Sequence, residues 1–545
     1  MVCFYPKQCT DISNRVERDG NTLLLSGTCI YSGKTYQAGL KALLGDLMSD
    51  RFKPSRLAGS FFLLYLPAKG EPRFWSDYSS IQNIYFHSDS GIISSSLLAT
   101  IIGAASASGR LRLNRSALTE ILTTGSLVGP DTIAEGVSRY EPVLHCDLPG
   151  IKRFDSRVEI ADTTVAGSRS EEVERQLEVL RDYFRSVAPA LNELGVLSGL
   201  TGGFDSRLIY FLLREVVSDY TLYTTSRARP TTEEAVAHSV SAFFGDKLCR
   251  PRHSTFRDID SDLYRSLLHD NFLFNDGHIR TNQLWTEEIK SREYLKLLYG
   301  GARIGISGVG GEQYRNSYYL AGSSYNAYNW FFYENIFRHC GDPFSGDKAR
   351  FEMVRYTLGK IMLLLGKENH TERITREEIK RYYDEVYNPA NRTLRNNIEN
   401  QLFFFLAPFT DFRVSAIARV SLPHLGANHD FERLMLNRLA PEAAHIWLDY
   451  GYPPGARVPL KFRALPLIKK AVGLRIYHSY YRKIRASGKL LIEIRESHPF
   501  VNEYLDRVKA LSLPLHTGVL EKSDLLSPLL IEAGLLITRM TPYID

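Results

Sequence analysis

Residues 195–216 read GVLSGLTGGFDSRLIYFLLREV, and this run constrains the fold more than any other. A short apolar stretch ends in two glycines and an aspartate, then passes at once into an apolar-rich segment. The first part predicts a strand and the last a helix, joined by a tight turn. The pattern continues downstream: YTLYTT reads as a strand, TEEAVAHSVSAFFG as a helix and ARIGISG as a later strand. Strands alternating with helices predict a parallel sheet in an α/β domain. Upstream, Ser168 and Glu171 have capping-box spacing, and Val173, Leu177, Leu180, Phe184 and Val187 recur every three or four residues. An amphipathic helix is therefore expected to lead into that sheet.

Residues 1 to about 155 read as β-rich. NTLLLSGTCIYSG, GSFFLLYLPA, PRFWSD, NIYFHSD and GIISSS are short apolar or aromatic runs broken by turn residues. NRSALTEILTTGSL is the first convincing helix there, and SRVEIADTTVAGSRS reads as a linker. Beyond residue 325 the chain is expected to be mostly helical, with no internal repeat or low-complexity tract.

The 545 residues suffice for two domains, and 44% hydrophobic with 23% charged residues is the composition of a globular protein with sizeable cores. A net charge of +6 over this length does not by itself imply a nucleic-acid partner. The six cysteines are scattered without a CxxC pair, so neither a zinc site nor a disulfide framework is expected. The first residues lack the apolar core of a signal peptide, and no apolar run is long enough to span a membrane. A reducing, cytoplasmic setting is the simplest expectation.

A glycine-rich turn lets backbone N–H groups converge on an anion, because no Cβ blocks the approach. The helix that follows adds its N-terminal dipole. Leu200, Thr201, Gly202, Gly203 and Ser206 thus read as a phosphate cradle. Asp205 would repel phosphate unless Mg²⁺ sat between them. The spacing is neither that of a Walker loop nor GxGxxG. A purely structural strand–helix turn is the alternative reading.

LTGGFDSR resembles the SGGxDS pyrophosphate loop of the asparagine synthetase superfamily of ATP pyrophosphatases, with Thr201 where the family's first serine usually stands. IGISGVGGEQYRNSYY resembles that family's SGxGxDE segment. Ser307, Gly308, Gly310 and Gly311 match; Glu312 replaces the family aspartate and Gln313 the glutamate after it. Val309 occupies a position that carries glutamate or tyrosine in some relatives. YTLYTTS resembles the second strand, whose end lies near the nucleotide and brings in Ser226. LAPFTDFRVSAIARVSLP resembles the PFLD stretch.

The N-terminal segments follow the order of the family's glutaminase domain. Such domains begin with a cysteine whose own α-amine serves as base. Here Cys3 follows Val2, so the resemblance implies a degenerate class II glutaminase-like domain over 1–160 and an ATP-pyrophosphatase domain over 165–545. The implied fold class is α/β: an α+β sandwich, then a parallel-sheet domain with a helical C-terminal part. The implied activity is an amide-forming ligase that adenylates a carboxylate with ATP and Mg²⁺, releases AMP and pyrophosphate, and joins the acyl group to an amine or ammonia. Its partners would be a small-molecule or peptide carboxylate and an amine donor. Asp205 and Glu312 would hold the metal and act in catalysis, with Leu200, Thr201, Gly202, Gly203, Asp205, Ser206, Ser226 and Gly308 on the nucleotide. Glu334 is a candidate general base, and Arg207 either assists or points to solvent. The family usually places a lysine near the pyrophosphate; here Asp449 stands at that position, and Lys461 and Arg463 are candidates to replace it in space. A catalytically inactive nucleotide-binding or partner-binding scaffold of the same fold is the alternative.

Segment 457–489 carries many Lys and Arg, no acid, and interleaved tyrosines. It reads as a solvated helical face or as a docking surface for an acidic partner or membrane. No nucleic-acid module accompanies it, and no nucleic-acid partner is expected. His238, His269, His278, His370 and His429 are isolated and read as surface or core residues rather than ligands.

Overall fold

Val196–Gly199 is buried along nearly its whole length, as a strand covered on both sides must be. In the computed structural model it is the middle of a five-stranded sheet. The order is Leu248–Cys249, Tyr220–Tyr223, Val196–Gly199, Ile304–Ile306, Phe404–Leu406, and every neighbouring pair is parallel. Val196 pairs with Tyr220 on one side and Ile304 on the other. The structure describes residues 1–545 except 6, 9–12, 78–80, 145–146, 155–166, 225–231, 252–254, 280–291, 317–321, 369–371, 393, 427 and 486–487.

Helix Arg169–Leu194 starts at the expected capping box of Ser168 and Glu171. Its buried stripe, including Leu177, Leu180 and Phe184, packs with helix Phe204–Val216 and with Val196 and Ile304 from one face of the sheet. Leu197 looks the other way, into Phe274, Leu295, Tyr299 and Ile398. Leu208, Ile209 and Leu212 are fully buried, each contributing about 1.5–3 kcal/mol. The helix therefore holds its N-terminus rigidly at the carboxyl ends of the strands.

The first part of the chain forms two sheets. One has the order Val2–Cys3, Ile92–Ser94, Tyr85–His87, Val137–Arg139; the other runs Lys152–Arg153, Arg73–Ser76, Phe61–Leu66, Asn21–Gly27, Arg15–Arg18. Phe62 and Phe74 of the second meet Tyr140 beside the first, so the sheets face each other across an aromatic core. Two helices, Tyr36–Met48 and Leu97–Ser108, precede the first one the sequence marks. Gly39 and Gly45 dilute the first, and the second is apolar and small nearly all round, so neither shows a clean helical stripe.

The expected boundary at 160/165 falls largely on residues outside those described, and the cores do not respect it. One large core joins Leu97, Leu118 and Val137 to Trp330, Ile361 and Leu529; another joins Leu23 and Leu40 to Leu180 and Leu406. Thr28 links the halves, donating from Oγ1 to Asn400 Oδ1 at 2.6 Å and accepting from Phe405 N at 2.9 Å. Asp276 caps helix Leu97–Ser108, accepting from Leu97 N at 2.5 Å. Cys3, Cys29, Cys249 and Cys340 are free thiols. Among the described residues no helix is long and apolar enough to cross a membrane.

Candidate functional site

The chain leaves strand Val196–Gly199 toward one side of the sheet and Ile304–Ile306 toward the other. A crevice opens outside the carboxyl ends of two such strands, and ligands of open α/β sheets bind there. A cleft of about 260 Å³ occupies this place. Thr201, Gly203, Asp205 and Ser206 line it from the first turn, and Ser307, Gly308, Val309 and Glu312 from the second.

The first turn is knit by hydroxyls. Ser206 Oγ accepts from Thr201 N at 3.0 Å and lies 2.8 Å from Thr201 Oγ1, while Gly203 N donates to Thr201 Oγ1 at 3.3 Å. Leu200 and Gly202, expected on the nucleotide, do not line the cleft: the Leu200 N–H donates to Tyr223 O at 2.8 Å and its side chain is buried, while Gly202 packs against Asp449. Two glycines are required by close approach. A Cβ on Gly202 would lie 2.8 Å from Asp449 Cβ, and one on Gly311 would lie 2.2 Å from Asp205 Oδ1. The two turns therefore interlock, bringing Asp205 against the loop that carries Glu312.

Charge is concentrated here. Arg315, which lines a neighbouring cavity rather than the cleft, donates from Nη2 to Asp205 at 2.6 and 2.5 Å, and its Nε lies 3.1 Å from Glu432 Oε2. Burial works against its charge, but Asp205 and then Glu432 hold the guanidinium well above its ordinary range. Burial pushes the Asp205 carboxyl up to about 7; Arg315 opposes this and Glu432 adds to it. Glu432 and Asp449 are also raised, chiefly by burial. Asp205 and Glu432 thus share one guanidinium, and burial disfavours the charged form of both carboxyls. Glu312 Oε2 is buried without a hydrogen-bond partner. Glu312 could take a divalent cation, and Asp205 could share it only by giving up its contacts to Arg315, which hold both its oxygens. Among the described residues no group of three or more His, Cys, Asp or Glu could hold a metal, so phosphate and water would supply the remaining ligands, as they commonly do for Mg²⁺.

Glu312 also borders a second cavity of about 840 Å³. Glu334 lies there, in a π-helical turn over Phe332–Phe337. Its Oε1 is 3.1 Å from Lys469 Nζ and 3.2 Å from His478 Nε2. Burial alone would raise the Glu334 carboxyl, but His478 and Lys469 bring it below the ordinary range, so it stands as a fixed anion. Tyr382, Tyr450, Phe462 and Tyr477 give this cavity aromatic walls.

Other sequence expectations fall differently. Lys461 is exposed, with Nζ 4.9 Å from the Phe462 ring centroid; Lys469 of the same helix, not Lys461, lines the larger cavity. Arg207 neither reaches the cleft nor points to solvent. It is buried and donates to the carbonyls of Ile446 (3.2 Å) and Trp447, tying the helix to the segment that carries Asp449. Gln313 is structural, donating to Phe409 O at 3.0 Å. His429 is buried between the rings of Phe204 (5.1 Å) and Tyr450 (4.3 Å), and burial pushes it down to about 3, a neutral core histidine. Ser226 and His370 lie outside the described residues. Arg315 and Glu432 carry no motif signal; Arg315 follows Glu312 by three residues, and only the fold shows that it turns back onto Asp205.

Compared with protein-family models and with curated proteins, the chain matches none.

Proposed function

We propose that the chain is an ATP-dependent, AMP-forming carbon–nitrogen ligase of the asparagine-synthetase kind. The observation that carries this reading is that Asp205 and Glu312, from two glycine-rich turns distant in sequence, line one cleft at the switch point of a parallel sheet. The N-terminus of helix Phe204–Val216 would bind the phosphates, with the Thr201 and Ser206 hydroxyls fixing the turn through the N–H groups of Thr201 and Gly203. Asp205 and Glu312 would hold Mg²⁺, which when bound neutralises phosphate charge. Arg315, already paired to Asp205 and Glu432, would stabilise charge on the departing pyrophosphate. The carboxylate and the amine would enter through the larger cavity, which meets the nucleotide cleft at Glu312. There Glu334 would orient a cationic or hydrogen-bond-donating part of the substrate.

In this reading residues 1–160 are a glutaminase-like domain without a working nucleophile. Cys3 lies in a strand, its carbonyl accepting from Ser94 Oγ at 2.9 Å, and its nitrogen is inside the peptide chain. Nitrogen would then come from ammonia or from a substrate amine.

The test is a screen for pyrophosphate release with a panel of carboxylic acids, with ammonium or amines and with glutamine as alternative nitrogen sources. Equimolar AMP and pyrophosphate with an acid and an amine are expected, without stimulation by glutamine. A second reading, a catalytically silent nucleotide-binding or partner-binding scaffold, is favoured by one observation: Arg315 already occupies both oxygens of Asp205. Nucleotide binding without pyrophosphate release across the whole panel would select it.

A further inference from the structure

The proposed chemistry leaves one feature unused. Helices Leu460–Val472 and Leu474–Arg485, separated by Gly473 alone, turn one face inward and one outward. Inward, Leu465, Lys469, Tyr477, His478 and Tyr481 wall the larger cavity. Outward, Leu460, Leu467, Ile468, Val472, Ile476 and Tyr480 are exposed, with Leu460 at 75%, Tyr480 at 70% and Ile476 at 65% of full exposure. Single exposed apolar residues are ordinary, but six large ones on two consecutive short helices are not. Arg457, Lys461, Arg463, Lys470 and Arg475 are exposed among them. No Asp or Glu occurs between Asp449 and Glu493, so no acid within this segment offsets the cations.

We propose that this outer face docks on an anionic lipid bilayer, with the two helices lying in the plane of the interface. The charge and polarity of this face complement such a surface. Leu467, Ile468 and Ile476 require an apolar phase, and the neighbouring cations require anions at its edge. A bilayer carrying acidic headgroups supplies both in one surface. A nucleic-acid backbone would satisfy the cations and leave the leucine and isoleucine side chains in water. The helices are too short to span, and lying flat is the geometry open to them. Because the same helices wall the larger cavity, docking would set that cavity directly above the lipid.

The experiment is co-sedimentation of the full chain with vesicles of phosphatidylcholine alone and with vesicles containing phosphatidylglycerol. Binding is expected to the acidic vesicles and to weaken as salt rises. Reversing Lys470 and Arg475 to Glu should weaken it by about fivefold or more per site, since each cation near an anionic surface is worth roughly 1 kcal/mol. The triple variant Leu467→Glu, Ile468→Glu, Ile476→Glu should abolish it while thermal unfolding and Mg²⁺–ATP binding stay unchanged, which separates lost docking from lost fold. No sedimentation with either vesicle overturns the proposal, as does acidic-vesicle binding that survives the triple variant. A concentration-dependent dimer that the triple variant dissolves, without vesicle binding, would assign the face to a second copy of the chain instead.

Discussion

The two cavities that meet at Glu312 are built from different parts of the fold. The smaller is lined by two glycine-rich turns with their hydroxyls and the Asp205 and Glu312 carboxyls, and closed by Tyr223, Tyr299 and Phe405. The larger has aromatic walls and paired ions from helices scattered over residues 124–525. A narrow site of backbone and fixed charge suits a ligand with a constant polyanionic part. A roomy, aromatic one suits a ligand whose shape is particular to this chain. Under the proposed function, the contrast would divide specification of the two substrates: the common reactant by the turns, the distinctive one by the helices.

Substitutions can break this contrast. The largest effect is expected from Arg315→Met, which strands Asp205 and Glu432 as buried acids; removing one partner of a buried ion pair costs about 3–5 kcal/mol. Its pH dependence has a definite sign. Arg315 holds both carboxyls down, and they are already raised. Without it the folded chain retains protons that the unfolded chain releases above about pH 4, so the variant's stability falls as pH rises from there to neutrality and beyond. Urea unfolding at acidic and mildly alkaline pH checks this; equal losses at both would contradict it.

Next comes Gly311→Ala, whose methyl group would overlap Asp205. It should cost about 1–3 kcal/mol as an overpacked contact and remove nucleotide binding. Gly301→Ala, where a Cβ meets nothing within 4 Å, is the control and should do neither. Glu334→Gln acts on the other cavity. It should cost about 1.5–3 kcal/mol by weakening the charged pairing with Lys469 and His478, lower turnover, and leave Mg²⁺–ATP affinity unchanged in calorimetry. If ATP affinity fell as well, the two cavities would not divide the work as described. The smallest effect is expected from Lys461→Ala, which should change neither stability nor nucleotide affinity.

The same contrast explains what could be read in the sequence. The strand–turn–helix at 196–216 and the capping box at Ser168 are set by neighbours in the chain, so their residues announce them. Strands Leu248–Cys249 and Phe404–Leu406 are too short to show a period, and pairing partners far away in sequence make them strands. Asp205 and Glu312 were legible because each sits in a turn of recognisable glycine spacing. Arg315 and Glu432 were not, because their meaning is a contact across more than a hundred residues of chain. Lys461 shows a finer limit. Eight residues on, a helix has rotated by roughly 80° from where it began, and that phase decides that Lys469 faces the cavity while Lys461 faces solvent. The sequence offered several cations in one stretch and no means to choose among them.

The central claim is that Asp205 and Glu312 act together on the phosphates of one nucleotide. Calorimetric titration of the intact chain with ATP and Mg²⁺, alongside Asp205→Asn and Glu312→Gln, tests it most directly. Both variants should stay folded and each should lose at least about tenfold in Mg²⁺-dependent ATP affinity, since a charge-assisted contact contributes about 1.5–3 kcal/mol. ATP affinity in both variants equal to that of the unaltered chain would contradict the account.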